Sequence, residues 1–244
     1  MLMLFCTNIK AQNDTTYYDK YYKETRSRNR AETYKVVIPE PNAYTSADKD
    51  KATEKYFYKS GQIMLEQHYS AYSKKTIEGE VKKWYDNGQL KADMNYKKGI
   101  MTGELTTYWR NGKLRRKDEY NDSSKLVTGN CYDSTGTKIP YFNYIKKPYF
   151  EYYKGDLDRY CFEHIKYPHE ANSVGIGGKV LLSFMVEKDG SVSHFNIAKS
   201  SGNRDLDNAA LDVFYNMPQW EPGTEDGEPV RMAYEYSMKL SPGW

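Results

Sequence analysis

One block of this chain repeats, and that repetition limits the possible folds more than any other feature. Trp84-Tyr85-Asp86-Asn87-Gly88-Gln89-Leu90-Lys91 returns as Tyr108-Trp109-Arg110-Asn111-Gly112-Lys113-Leu114-Arg115, an interval of 24 residues between Gly88 and Gly112. Gly79 and Gly103 keep that interval, as do Tyr96 and Tyr120. A frayed copy follows at Tyr132 to Lys138, and an earlier one runs from Tyr58 to Ile63. Asn-Gly pairs between strand-like stretches are the residues of tight hairpin turns, since both tolerate positive φ. Leu90, Ala92, Met94 and Tyr96 alternate with Lys91, Asp93 and Asn95, the pattern of a half-buried strand. Each repeat is therefore expected to be a hairpin, with Gly88 and Gly112 at the turns and successive hairpins forming an antiparallel meander.

The chain has 244 residues and is 39% hydrophobic, long enough for two modest cores. Tyr occurs 25 times against 8 Phe, which suits strands whose rings pack while their hydroxyls stay wet. The net charge of +3 gives no case for nucleic-acid binding. Basic residues nevertheless crowd positions 74 to 117, expected as a solvated sheet face that resists edge pairing.

The apolar opening Met1-Leu2-Met3-Leu4-Phe5 is too short to span a bilayer. Ile9-Lys10-Ala11-Gln12 fits a signal-peptidase site, so residues 1–11 are read as a signal-peptide remnant and the protein as exported. Phe5 before Cys6 does not suit a lipobox. Residues 12–50 lack a sustained apolar period and contain Pro39-Glu40-Pro41-Asn42, so they are expected to be a flexible tether. The repeats occupy 51–142.

Beyond residue 149 the periodicity changes. Leu157, Tyr160, Cys161, His164 and Ile165 recur at helical spacing, with Pro168 as the stop. Val180, Leu182, Phe184 and Val186 alternate as a strand that turns at Asp189-Gly190, and the broken phase of Val192, Phe195 and Ile197 predicts a β-bulge. Leu206, Ala209, Ala210, Val213, Phe214 and Met217 form the stripe of one helix, capped by Asn203 or Asp205. Val230, Met232, Tyr234, Tyr236, Met238 and Leu240 then alternate as a last strand. The expected fold class is an α+β domain at 149–244, two helices against a small antiparallel sheet, preceded by the all-β repeat meander.

No chemistry of an enzyme emerges: there is no Ser-His-Asp order, phosphate-cradling loop or paired carboxylates, and no cofactor is called for. Cys161, His164 and His169 gather too few ligands for a structural zinc site. Cys131 and Cys161 are expected to be separate buried thiols.

Residues 56 to 142 resemble the MORN-variant repeats of bacterial surface proteins. Tyr167-Pro168 with Ala171, Gly175-Ile176-Gly177-Gly178, Asp189-Gly190-Ser191-Val192, Leu206-Asp207-Asn208-Ala209-Ala210 and Pro218-Gln219-Trp220-Glu221-Pro222-Gly223 closely resemble the TonB C-terminal domain, across about 149 to 240. The resemblance implies that Tyr167, Pro168, Gly178, Asp189, Gly190, Trp220 and Pro222 are structural motif residues, and Trp220, fixed between Pro218 and Pro222, is expected to anchor the second helix to the final strand.

The resemblance implies a periplasmic domain, in the envelope of a Gram-negative bacterium, that grips the TonB-box peptide of an outer-membrane transporter by strand addition. It places the pairing edge on Val230, Arg231, Met232, Ala233, Tyr234, Glu235 and Tyr236. A full transducer also carries a membrane helix that contacts inner-membrane motor proteins and a Pro-rich spacer. The sequence has neither, so any link to the motor is expected to be indirect. The alternative is an envelope scaffold whose repeats bind a polymer or protein partner without energy coupling.

Overall fold

The computed structural model describes residues 14–19, 23–40 and 50–242. The expected signal-peptide remnant at 1–11 lies outside them. The chain divides into two compact units, residues 1–141 and 142–244.

The first unit is an 11-stranded antiparallel sheet. Its strands are β1 (Asp14–Tyr18), β2 (Glu24–Thr25), β3 (Thr33–Pro39), β4 (Ala52–Tyr58), β5 (Ile63–Ala71), β6 (Thr76–Trp84), β7 (Leu90–Lys97), β8 (Ile100–Tyr108), β9 (Leu114–Tyr120), β10 (Leu126–Tyr132) and β11 (Lys138–Ile139). From β3 to β11 each strand lies beside its neighbour in sequence, which is the expected meander.

The tether expected at 12–50 needs correction. β3 pairs with β4 from Thr33↔Tyr58 to Pro39↔Ala52, and β1 pairs with β3, so the described parts of that segment extend the sheet. An available sheet edge and the β-branched run Val36-Val37-Ile38 outweigh the weak alternation, because strand propensity depends on what the strand can pack against.

The turns differ from the expected two-residue form. Gly88 and Gly112 do hold positive φ, 83° and 81°, but Asn87 and Asn111 are not among the residues with positive φ. In each hairpin the glycine is the third loop residue: Tyr85 N donates to Gln89 O at 2.9 Å and Gly88 N to Tyr85 O at 2.9 Å. The Asn87 side chain accepts from Gln89 N at 3.1 Å, which closes the loop without a left-handed asparagine. The extra residue appears as a register shift between Lys83 and Trp84.

Successive repeats are joined by their aromatic residues. Tyr58 Oη donates to Trp84 O, Tyr85 Oη to Tyr108 O and Trp109 Nε1 to Tyr132 O, at 2.9, 2.9 and 3.0 Å. Gly79 faces Tyr96, and Gly103 faces Tyr120, across their ladders. One face buries Val81, Ala92, Met94, Leu105 and Cys131 together with Glu54, Arg116 and Asp118. The expectation that the basic stretch is wholly solvated therefore fails at Arg116, which is fully buried and donates to Asp118 at 2.8 Å. Elsewhere in that stretch, Lys82 bonds Glu80 and Lys117 bonds Glu104.

The second unit contains β12 (Ile145–Lys146), α1 (Leu157–His164), the short α2 (His169–Ser173), β13 (Gly178–Val186), β14 (Val192–Lys199), α3 (Arg204–Tyr215), β15 (Thr224–Glu225), β16 (Glu228–Pro229) and β17 (Met232–Leu240). Its main sheet has the order β14-β13-β17, and a smaller one has the order β12-β15-β16. Val180, Leu182, Phe184 and Val186 of β13 bury against Leu206, Ala210, Val213 and Phe214 of α3 and Leu157, Tyr160 and Cys161 of α1. That is the expected pair of main helices on a small antiparallel sheet. Asn203 caps α3 by accepting from Asp205 N and Leu206 N, and β14 carries the expected irregularity, with shifts at Leu181/Leu182 and Ser183/Met185. Cys131 and Cys161 are both free and buried.

Candidate functional site

β17 is an edge strand. It pairs with β13 without interruption from Gly178↔Leu240 to Val186↔Met232 and, among the described residues, has no partner on its other side within that sheet. The opposite edge, β14, is broken by two register shifts and by His194 at φ 54°, features that spoil a pairing template. The regular free edge of this sheet is therefore β17.

The direction of its backbone groups follows from the neighbouring hairpin. Glu187 N donates to Ser191 O on the β14 side at 2.8 Å. Alternation along β13 then turns the amides of Val186, Phe184 and Leu182 toward β17, where they face Met232, Tyr234 and Tyr236. Ala233, Glu235, Ser237 and Lys239 accordingly direct their N–H and C=O groups outward.

The candidate residues divide at the start of the strand. Met232, Ala233, Tyr234, Glu235 and Tyr236 lie on β17, whereas Val230 and Arg231 precede it. Val230 N donates to Gly223 O at 2.9 Å, so that amide is already used. Arg231 Nε donates to Glu187 Oε1 at 2.9 Å and its Nη2 bonds His194 Nδ1 at 2.8 Å, which ties the strand's entry to the β13–β14 hairpin.

Core-facing side chains hold the edge in place. Tyr234 lies against Phe184 and Trp220, with ring centroids 5.5 and 4.8 Å away. Tyr236 donates to the Asp158 carboxylate on α1. Burial, together with that hydrogen bond, raises the Tyr236 pKa far above the usual phenol value, so the hydroxyl remains a donor. Ala233 and Glu235 are exposed.

The remaining motif residues build the frame. Tyr167 Oη donates to Ile176 O at 2.7 Å, and Pro168, with extended backbone, stands immediately before α2. Gly178 runs so close to Ser201 that a Cβ would lie 2.7 Å from the Ser201 Cβ. Asp189 accepts from Ser191 N and Oγ, fixing the hairpin in which Gly190 holds φ 83°. Trp220 is buried against Phe150, Phe184 and Tyr234, and Pro222 beside it is half-buried. Asp207 has a role that its sequence pattern did not reveal. Its carboxylate accepts from Ser200 Oγ at 2.6 Å and from Ser201 N and Oγ at 2.9 and 2.7 Å, closing the loop into α3. An acid inside the apolar stripe from Leu206 was the available signal.

Cys161 lies in the core, where burial pushes its thiol up to about 12, while His164 Nδ1 contacts the Tyr160 carbonyl at 2.9 Å. Among the described residues no helix is long and apolar enough to cross a membrane.

The family model described as Gram-negative bacterial TonB protein C-terminal matches residues 163–239, and the MORN repeat variant model matches 52–71, 77–98 and 101–122. Proteins named TonB are similar to this chain. That of Haemophilus influenzae is 35% identical over 88 residues, covering 36% of this chain and 32% of its own. The Pasteurella multocida protein is 39% identical over 89 residues, 36% of this chain and 33% of its own. The Helicobacter pylori protein is 34% identical over 74 residues, 30% of this chain and 26% of its own. The chain thus spans about a third or less of the length of these relatives.

Proposed function

We propose that the second unit is a periplasmic docking domain that binds the extended TonB-box segment of an outer-membrane transporter by adding it as a strand to β17. The observation that carries this reading is the uninterrupted free edge at Met232–Leu240, with the outward amides of Ala233, Glu235, Ser237 and Lys239. Similarity to TonB proteins over 163–239 supports the partner class. An edge strand provides backbone hydrogen bonds in register, and side chains flanking it select the guest. The proposed role is binding without catalysis.

Proline is the direct test because it removes one donor. Ala233→Pro removes an outward N–H, whereas Ala233→Ser at the same position keeps it. The full chain is titrated with a TonB-box peptide by calorimetry, and each variant is first shown to melt cooperatively. The serine variant is expected to bind like the parent and the proline variant to lose binding. A folded proline variant that binds as tightly as the parent overturns strand addition at β17.

A further inference from the structure

The docking edge runs beside a wall contributed by residues outside the matched family region. A groove of about 530 Å³ is lined on one side by Met232, Ala233, Tyr234 and Glu235 and on the other by Ile145, Lys147 and Pro148. β12 holds this wall through Ile145↔Glu225 and Lys146↔Thr224, and the pairing of Tyr149 with Glu221 continues it. The groove closes at the Met232 end. A Cβ on Gly223 would lie 2.4 Å from Met232 Sδ and 3.0 Å from Pro148 Cδ, so those three residues are in contact there. Ile145 leaves 45% of its surface exposed beside the groove.

The charges around the groove are not equally available. Lys146 is paired with Glu221, and Arg231 with Glu187. Lys147 on the wall and Glu235 on the strand make no ion pair or side-chain hydrogen bond among the described residues, with each other or with anything else. An added strand would strip water from both. A charge desolvated without a partner opposes binding, and a charge met by its opposite does not, so the two residues discriminate among guests that pair equally well through their backbones. A residue directly opposite Glu235 on the added strand lies within cross-strand contact distance.

We infer that this groove selects an extended segment of a partner protein that sets a basic residue against Glu235 and an acidic residue toward Lys147, with an aliphatic side chain on Ile145. The inference rests on strand addition at β17 and names the guest's chemistry. Lys147 and Ile145 are then specificity determinants, supplied from residues 142–150 ahead of the matched region.

The test uses the full chain and synthetic nine-residue peptides of alternating threonine and valine, acetylated and amidated. Each carries one lysine and one aspartate two, three or four residues apart, in either order. Calorimetry compares the parent, Lys147→Glu, Glu235→Lys and the double variant, with a TonB-box peptide as reference. One order of charges is expected to bind the parent at least tenfold more tightly than the reverse. Each single variant is expected to lose that preference, and the double variant to invert it. Both groups are exposed, so the substitutions leave the core intact. If the TonB-box peptide binds but no charge order is preferred, or the preference persists in both single variants, the selectivity is wrong and edge docking stands. If no peptide binds, both fail.

Discussion

The backbone amide of Trp220 donates to the carbonyl of Gly190 at 2.8 Å, joining the segment after α3 to the β13–β14 turn. The indole packs on Phe184 and Tyr234, residues that face each other across the β13–β17 ladder. One short contact thus links the hairpin turn, the helix exit and the proposed docking edge. It explains why the Asp189-Gly190 and Pro218-to-Gly223 motifs both belong to this domain although they lie far apart in sequence.

Gly190 should be far less replaceable than Gly112. Both hold positive φ, but a Cβ at Gly190 would lie 2.1 Å from the Trp220 carbonyl oxygen, whereas at Gly112 it meets only the Gln89 side chain at 3.3 Å. A left-handed alanine costs roughly 1–2 kcal/mol at either site. At Gly190 displaced backbone adds to this, for a total of roughly 2–4 kcal/mol. Urea midpoints of Gly190→Ala and Gly112→Ala, each followed by the unit it belongs to, test the order. Equal losses would mean that the Trp220 contact is not a constraint.

Trp220→Ala is expected to destabilise the second unit by about 3–5 kcal/mol, the range for emptying a buried aromatic site. The ring is 4% exposed, and its Nε1 points to Met217 Sδ at 3.0 Å. Trp220→Phe keeps most of the packing and should cost clearly less. Amide exchange over β13 and β17 reports the loss, and unchanged protection in the alanine variant would contradict an anchoring role.

Helix α3 was legible because its stripe from Leu206 to Phe214 has one period and one solution, although the helix stops at Tyr215, before the expected Met217. The hairpins were legible because Asn-Gly turns are local. β3 was not, since its pairing with β4 is tertiary and its own residues show little alternation. Arg116 reads as part of a solvated basic face; only the structure reveals that Asp118 neutralises it inside the sheet's buried face. At the candidate site, alternation started the strand at Val230, two residues before its observed start at Met232, and showed neither the bond that takes Val230's amide to Gly223 nor the wall at Ile145 and Lys147. The wall depends on chain segments brought together from more than 70 residues apart, where Ile145 pairs with Glu225.

Cys161 should resist alkylation in the folded protein. Burial pushes its thiol up to about 12, so almost no thiolate is present at neutral pH, and the residue has no exposed surface. Cys131 is equally buried in the other unit. Iodoacetamide labelling followed by peptide mass analysis should leave both unmodified in buffer and modify both in denaturant. Rapid labelling of Cys161 in the native state would show that the α1 core opens.

Acid should weaken the sheet around Glu54. This carboxylate is 2% exposed, and it accepts from Gln67 at 2.7 Å, Tyr69 at 2.8 Å and Tyr72 at 3.2 Å, with Lys35 and Lys75 at 3.4 and 3.5 Å. Burial alone would raise its pKa, but the hydrogen bonds from Tyr69 and Gln67 and the two lysines outweigh burial and hold it below the usual carboxylate value. A group whose folded pKa lies below its unfolded one contributes stability above the unfolded value, about 4.3, and loses it as pH falls through the folded value. Glu54→Gln removes the charge that Lys35 and Lys75 face and should cost roughly 1–3 kcal/mol at pH 7. Since the glutamine does not titrate, the gap between parent and variant should shrink as the pH drops below about 4. Hydrogen exchange of peptides covering β4 and β5 gives the local readout, with β13 as a control in the other unit. A gap that is constant from pH 7 to pH 3 would mean that the ionised carboxylate contributes nothing to the sheet.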